Sequence, residues 1–124
     1  MENQLILTAA EERLAQLVWR AAPLTSPELV ALAEGELGWK KSTTYTVLKK
    51  LCDKGVFKNE NAAVSVICGQ EAFVRQQSYR YVDDAFGGSL PRFLTAMISG
   101  RKLSHQQAEE LRRLIEAHEE ENYG

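Results

Sequence analysis

The 124-residue sequence predicts a mainly α chain with one small β-hairpin near its middle. Three features point to this class. Before residue 55, apolar side chains recur at helical spacing in three stretches, each bounded by capping, Pro or Gly signals. Between Val56 and Cys68 the pattern gives way to two short β-prone runs. After Gln70 the helical stripes return and continue almost to the end.

Thr8 and Glu11 stand three apart ahead of an apolar pattern, the spacing of a capping box. Ala10, Leu14, Leu17, Val18 and Ala21 then mark a first helix over 9–20, which Pro23 ends. Ser26-Pro27-Glu28 is a second start: Ser26 caps, Pro27 takes the first helical position, and Glu28 suits the positive end of the helix dipole. Leu29, Val30, Leu32 and Ala33 carry this short helix to Ala33–Gly35, and Gly38 breaks the chain before Trp39. Ser42 is placed to cap a third helix, whose stripe Thr44, Val47, Leu48 and Leu51 faces a core and which Gly55 closes. Val56–Glu60 and Val64–Cys68 read as hairpin strands joined by Asn61-Ala62-Ala63, a turn lacking Asn-Gly or Asp-Gly. A fourth helix covers 70–85 and ends at Gly87-Gly88. Ser89 begins a fifth, with Leu90, Phe93, Leu94, Met97 and Ile98 on one face and Gly100 at its end. Ser104 and Gln107 form another capping box, opening a last helix with Ala108, Leu111, Leu114, Ile115 and His118 together. The tail Glu119-Glu120-Glu121-Asn122-Tyr123-Gly124 is expected to fray.

Three helices followed by a two-stranded hairpin is the winged helix-turn-helix layout, assigned here to residues 1–69. Residues 70–124 form a C-terminal helical domain. Leu90, Phe93, Leu94, Met97, Leu111, Leu114 and Ile115 are more apolar surface than three short helices can cover. The domain is therefore read as a dimerisation domain, its core completed by a second copy.

Composition narrows the function. No apolar run approaches the ~20 residues that cross a bilayer, and Met1-Glu2-Asn3-Gln4 lacks the positive region of a secretory signal. Two cysteines, Cys52 and Cys68, fit a reducing compartment, so a cytoplasmic protein without membrane contact is expected. The net charge of −2 hides an asymmetry. Residues 39–58 hold Lys40, Lys41, Lys49, Lys50, Lys54 and Lys58 against Asp53 alone, a local +5, whereas the last 25 residues sum to −2. Nothing invites catalysis. His105 and His118 are far in sequence from either cysteine, no CxxC or Gly-rich phosphate loop occurs, and Asp83-Asp84 reads as a solvated helix end. The expectation is no enzyme, no cofactor and no metal.

The third helix carries the chemistry instead. Its core stripe leaves Ser42, Thr43, Tyr45, Thr46, Lys49 and Lys50 on other faces, with Thr43, Thr46 and Lys50 on one ridge at i, i+3 and i+7. Short hydroxyls near a helix start can approach base edges, and a Thr methyl can touch a thymine methyl. Long lysines further along reach flanking phosphates, and Lys40 and Lys41 precede the helix where a duplex backbone would cross. The expected partner is a double-stranded DNA operator. The hairpin tip, Asn59 to Val64, has no Arg or Lys after Lys58, which leaves little for a phosphate grip. The alternative is a winged-helix protein–protein interaction module without direct DNA readout. The basic 39–58 segment favours DNA, because a protein-binding surface would show apolar or aromatic anchors there.

The whole order of motifs resembles the penicillinase-repressor family of bacterial transcriptional regulators. The resemblance is carried by Leu7-Thr8-Ala9-Ala10-Glu11 with Leu17-Val18-Trp19, by Thr25-Ser26-Pro27-Glu28-Leu29, by Trp39, and by Thr43 to Leu51 running into Lys54-Gly55. Phe86-Gly87-Gly88-Ser89-Leu90 and Leu103-Ser104 through Glu109-Glu110-Leu111 extend it into the second half. It implies a homodimeric repressor on a palindromic operator, with bases read from Ser42, Thr43 and Thr46 and phosphates held by Tyr45 and Lys50. It also implies a sensor protein as a further partner, of a type the sequence does not name. The chain departs from the pattern in several places. Glu12 stands where the family has an aromatic, Ala63-Val64 replaces a basic wing tip, and Val66 and Cys68 replace wing aromatics. Leu94-Thr95-Ala96-Met97 occupies the place of the Asn-Phe bond that is cut in β-lactam-responsive members, and no cysteine-rich metal hook closes the chain.

Overall fold

The computed structural model describes residues 5–120, so Met1–Gln4 and residues 121–124 of the expected fraying tail lie outside it. The element order is α1 (Ala9–Ala21), β1 (Leu24–Thr25), α2 (Ser26–Leu37), α3 (Lys41–Asp53), β2 (Phe57–Glu60), β3 (Ala63–Val66), α4 (Gln70–Phe86), α5 (Leu90–Ile98) and α6 (His105–His118). A winged helix followed by C-terminal helices is thus the observed architecture. The chain divides into two compact units, Met1–Arg80 and Tyr81–Gly124, with the division inside α4.

In the N-terminal unit, α1, α2 and α3 enclose a core of Leu14, Leu17, Val18, Leu29, Ala33, Val47, Leu48 and Leu51, closed from the sheet side by Val56, Phe57 and Val64. Burial of each large apolar side chain contributes roughly 1.5–3 kcal/mol. The hairpin gains a third strand: β1 pairs antiparallel with β3, Leu24 opposite Val64 and Thr25 opposite Ala63, giving the order β1-β3-β2. The wing is therefore anchored to the α1–α2 connection rather than free-standing.

Several local expectations are corrected. Thr25, not Ser26, caps α2: its hydroxyl accepts from the Glu28 amide and the Glu28 carboxylate accepts from the Thr25 amide. The reason is β1. Pairing with Ala63 holds Thr25 in the extended conformation that a cap residue adopts, with its hydroxyl over the first turn. Gly35 does not end α2; the helix runs to Leu37 and stops at Gly38, whose φ of 70° turns the chain left-handed. Ser42 does not cap α3, because helical geometry starts at Lys41 and Lys40 holds the cap position with no side-chain bond. Ala10 is exposed, and Glu11 takes the buried place beside Leu14. The hairpin turn is two residues, Asn61 and Ala62, both at positive φ (51° and 64°), and Ala63 already belongs to β3.

The capping boxes at Thr8–Glu11 and Ser104–Gln107 form as read, and Ser89 caps α5 by accepting from the Arg92 amide. Gly55 closes α3 in a Schellman arrangement, its amide bonding the Cys52 carbonyl and the Val56 amide bonding that of Leu51. In the C-terminal unit, Tyr81, Phe86 and Phe93 form an edge-to-face triad with centroids 5.6–6.0 Å apart. Among the described residues no helix is long and apolar enough to cross a membrane.

Candidate nucleic-acid interface

The third helix is oriented by what it buries. Thr44, Val47, Leu48 and Leu51 face α1 and α2, and the Thr44 hydroxyl donates back to the Lys40 carbonyl at 3.2 Å, so even the polar member of this stripe is satisfied. With that face fixed, Ser42, Thr43, Thr46, Lys49 and Lys50 stand exposed, Tyr45 is half-buried, and Lys40 and Lys41 are exposed at the helix start. The first turn carries no acidic residue, so the positive end of the helix dipole and two lysines meet there. An exposed ridge of hydroxyls followed by amines, backed by a rigid core, has the dimensions to enter a major groove.

The six lysines of the basic segment are not equivalent. Lys54 turns away from the ridge: its Nζ lies 2.6 Å from Glu11 Oε1 and donates to the Ile6 carbonyl at 2.9 Å. Lys58 pairs with Glu60 at 3.0 Å on β2, and Lys49 pairs with Asp53 at 3.1 Å one turn along α3. Lys40, Lys41 and Lys50 have no ion pair among the described residues, so the uncompensated positive charge gathers at the start and outer face of α3. Sequence counting does not reach the Lys54 partner, because Glu11 is 43 residues away, whereas Asp53 and Glu60 stand close to Lys49 and Lys58 in the chain.

The Glu11–Lys54 pair sits where α3 ends against α1. Burial pushes the Glu11 carboxyl up, but the Lys54 bond, the Thr8 amide and the Lys54 charge outweigh it and hold the group below its ordinary value. Burial, then the Asp53 charge, raises the Cys52 thiol. The wing tip, Asn59 to Ala63, is exposed, and beyond Lys58 it presents Glu60 rather than a cation.

A second surface lies in the C-terminal unit. Leu90, Met97, Leu114 and Ile115 are each more than half exposed, while Phe93, Leu94 and Leu111 are half-buried. No described residue of this unit is buried. Leu94, Met97, Ile98, Leu103, Leu111 and Leu114 line a groove of about 510 Å³ rimmed by Gln107 and Glu110. Leu103, Gln107 and Glu110 lie outside the apolar set that the sequence assigns to the dimer face. The α6 periodicity was read from Ala108 onward, and Leu103 precedes the helix.

Compared with known proteins, residues 7–117 match a family model described as penicillinase repressor. No curated protein matches the chain.

Proposed function

The chain belongs to the penicillinase repressor family of transcriptional repressors, and on that premise we propose that it binds DNA sequence-specifically, as a homodimer on a palindromic operator, in the bacterial cytoplasm. Residues 1–69 read the DNA and residues 70–124 dimerise. Ser42, Thr43 and Thr46 contact base edges; Tyr45, Lys50, Lys40, Lys41 and Lys49 contact phosphates. Leu90, Phe93, Leu94, Met97, Leu111, Leu114 and Ile115 meet their counterparts in the second copy. A sensor protein, of a type the sequence does not name, is a further proposed partner.

One observation carries this reading: the ridge of Ser42, Thr43, Thr46 and Lys50 stands exposed because the opposite face of the same helix is locked into the core. The C-terminal unit adds support, since a unit with no buried residue among those described has not closed a core of its own. One feature favours the interaction-module reading. Ile67, 61% exposed, and Val66, 40% exposed, put apolar surface on a wing without a basic tip.

Selection of bound duplexes from a randomised pool separates the two. The DNA reading expects an inverted repeat with half-sites about one helical turn apart, or a multiple of it. On that repeat Thr46→Ala should cost about 1–3 kcal/mol per half-site, with little change on scrambled duplex. Recovery of no common sequence, or equal loss on both duplexes, would leave α3 without a reading role.

A further inference from the structure

Three residues in the first half of α4 tie it to the rest of the N-terminal unit. Gln70, Phe73 and Gln77 lie at i, i+3 and i+7, one face of the helix. The Gln70 amide donates to Gln16 Oε1 on α1 at 3.0 Å. Phe73 is buried and packs on Trp19 with ring centroids 5.4 Å apart, and Trp19 also meets Phe57 of β2 edge-on at 5.9 Å. The Gln77 amide donates to the Leu5 carbonyl at 2.8 Å, across 72 residues of sequence. The segment it grips continues to the Ile6 carbonyl, held by Lys54 at the end of α3, and to Thr8, the cap of α1. Gln77 is thus tied, through two backbone carbonyls, to the residue that follows the reading helix.

We propose that Gln70, Phe73 and Gln77 form a clamp that fixes the direction in which α4 leaves the reading unit, with Gln77 as a positioning residue for half-site spacing. The proposal rests on the DNA-binding reading above. Cys68 is held by the Trp19 Nε1 bond to its carbonyl at 2.9 Å, so any swivel of α4 falls on Gly69, the residue with the widest backbone freedom. The clamp supplies the resistance. Once its first turns are held, a helix is stiff: α4 runs without a break for 17 residues, about 25 Å, to its stop at Gly87-Gly88. The reading helix, the N-terminal segment and α4 as far as Arg80 belong to one unit, and the direction in which the chain leaves that unit becomes a property of the protein rather than of the DNA.

The test uses the full chain on the selected palindrome, on versions with one or two base pairs added or removed between half-sites, and on a single half-site. Each base pair rotates one half-site by about 35° relative to the other. The native chain should lose affinity on the order of 100-fold for a one-base-pair change, because only one half then engages. Gln77→Met keeps the side chain's length and removes the donor. It should flatten that dependence to under about tenfold while leaving single half-site affinity unchanged. Gln77→Lys, whose ammonium can donate to the Leu5 carbonyl, should restore the dependence. Spacing dependence as sharp as native in both Gln77→Met and Gln70→Ala/Gln77→Met overturns the clamp. So does flattening matched by an equal loss on the single half-site, which is the mark of a damaged reading unit. A native chain that binds the half-site yet ignores spacing refutes the clamp alone; a chain that binds no duplex refutes the DNA reading beneath it.

Discussion

Lys49 and Lys50 are neighbours on one exposed helix, and the structure expects them to behave differently. Lys49 sits 3.1 Å from Asp53 one turn along, whereas Lys50 has no carboxylate partner among the described residues. A lysine on a phosphate releases condensed counterions, so the slope of log K against log[salt] changes by about 0.9 per contact on duplex DNA. Two protomers double this, and Lys50→Ala should flatten the slope by about 1.8. Between about 50 and 200 mM salt that corresponds to an affinity ratio altered about tenfold. Lys49 must first leave Asp53, a pair worth about 0.2–1 kcal/mol at such exposure, and its charge is already partly compensated. Lys49→Ala should flatten the slope by under half as much, and Asp53→Asn should steepen it by releasing Lys49. Fluorescence anisotropy at four or more salt concentrations, on operator and scrambled duplexes, reads all three. Equal slopes for Lys49→Ala and Lys50→Ala would refute the division between paired and unpaired lysines. An unchanged slope for Lys50→Ala would remove α3 from the phosphate backbone.

Other expectations follow from single features. Ala62 holds a φ of 64° in the wing turn, so Ala62→Gly should stabilise the N-terminal unit by about 0.5–1 kcal/mol and raise its Tm by about 2–8 °C; a lower Tm would contradict the turn. Leu114→Glu puts a charge on the apolar groove of the C-terminal unit, at a cost of about 3–5 kcal/mol if two copies cover it. Sedimentation should then report monomer, and a full-strength dimer would place the interface elsewhere. Glu11 has a depressed folded-state pKa, so its contribution is complete above the unfolded value of about 4.3 and is lost as pH falls through the folded value. Denaturation midpoints from pH 7 down to pH 3 should therefore drop more steeply for the native chain than for Glu11→Gln, and parallel profiles would rule the pair out as an acid-sensitive latch.

What could be read from the sequence was what local bonds determine. Thr8–Glu11 and Ser104–Gln107 are capping boxes because both partners lie within one turn, and the first persists although Glu11 Oε1 also accepts from Lys54. The α3 ridge was legible for a related reason: a core stripe at helical spacing leaves its complement exposed. Two of the failures have the opposite cause. Choosing Ser26 over Thr25 as cap was undone by β1, a two-residue strand that exists only because β3 lies beside it. Glu11 was read for its cap alone, since nothing within one turn announces Lys54. The basic run was counted as a block, and three of its lysines turned out to be held by Glu11, Asp53 and Glu60. Ala62 in a left-handed turn shows register overruling residue preference: Phe57 and Val64 are buried, and a slip of one residue would expose both.

The proposed pairing over the exposed face of the C-terminal unit would have a consequence for gene dosage. A pairing that supplies the missing core makes the folded, binding-competent species second order in chain concentration, so halving expression lowers the dimer up to fourfold. Operator occupancy then answers copy number more steeply than a monomer's could. Dilution, such as that at cell growth without synthesis, would release the operator before any sensor acts. Chains below the pairing threshold would also carry an unclosed apolar surface, the state that proteases recognise, so the cell would clear unpaired repressor and sharpen the threshold further.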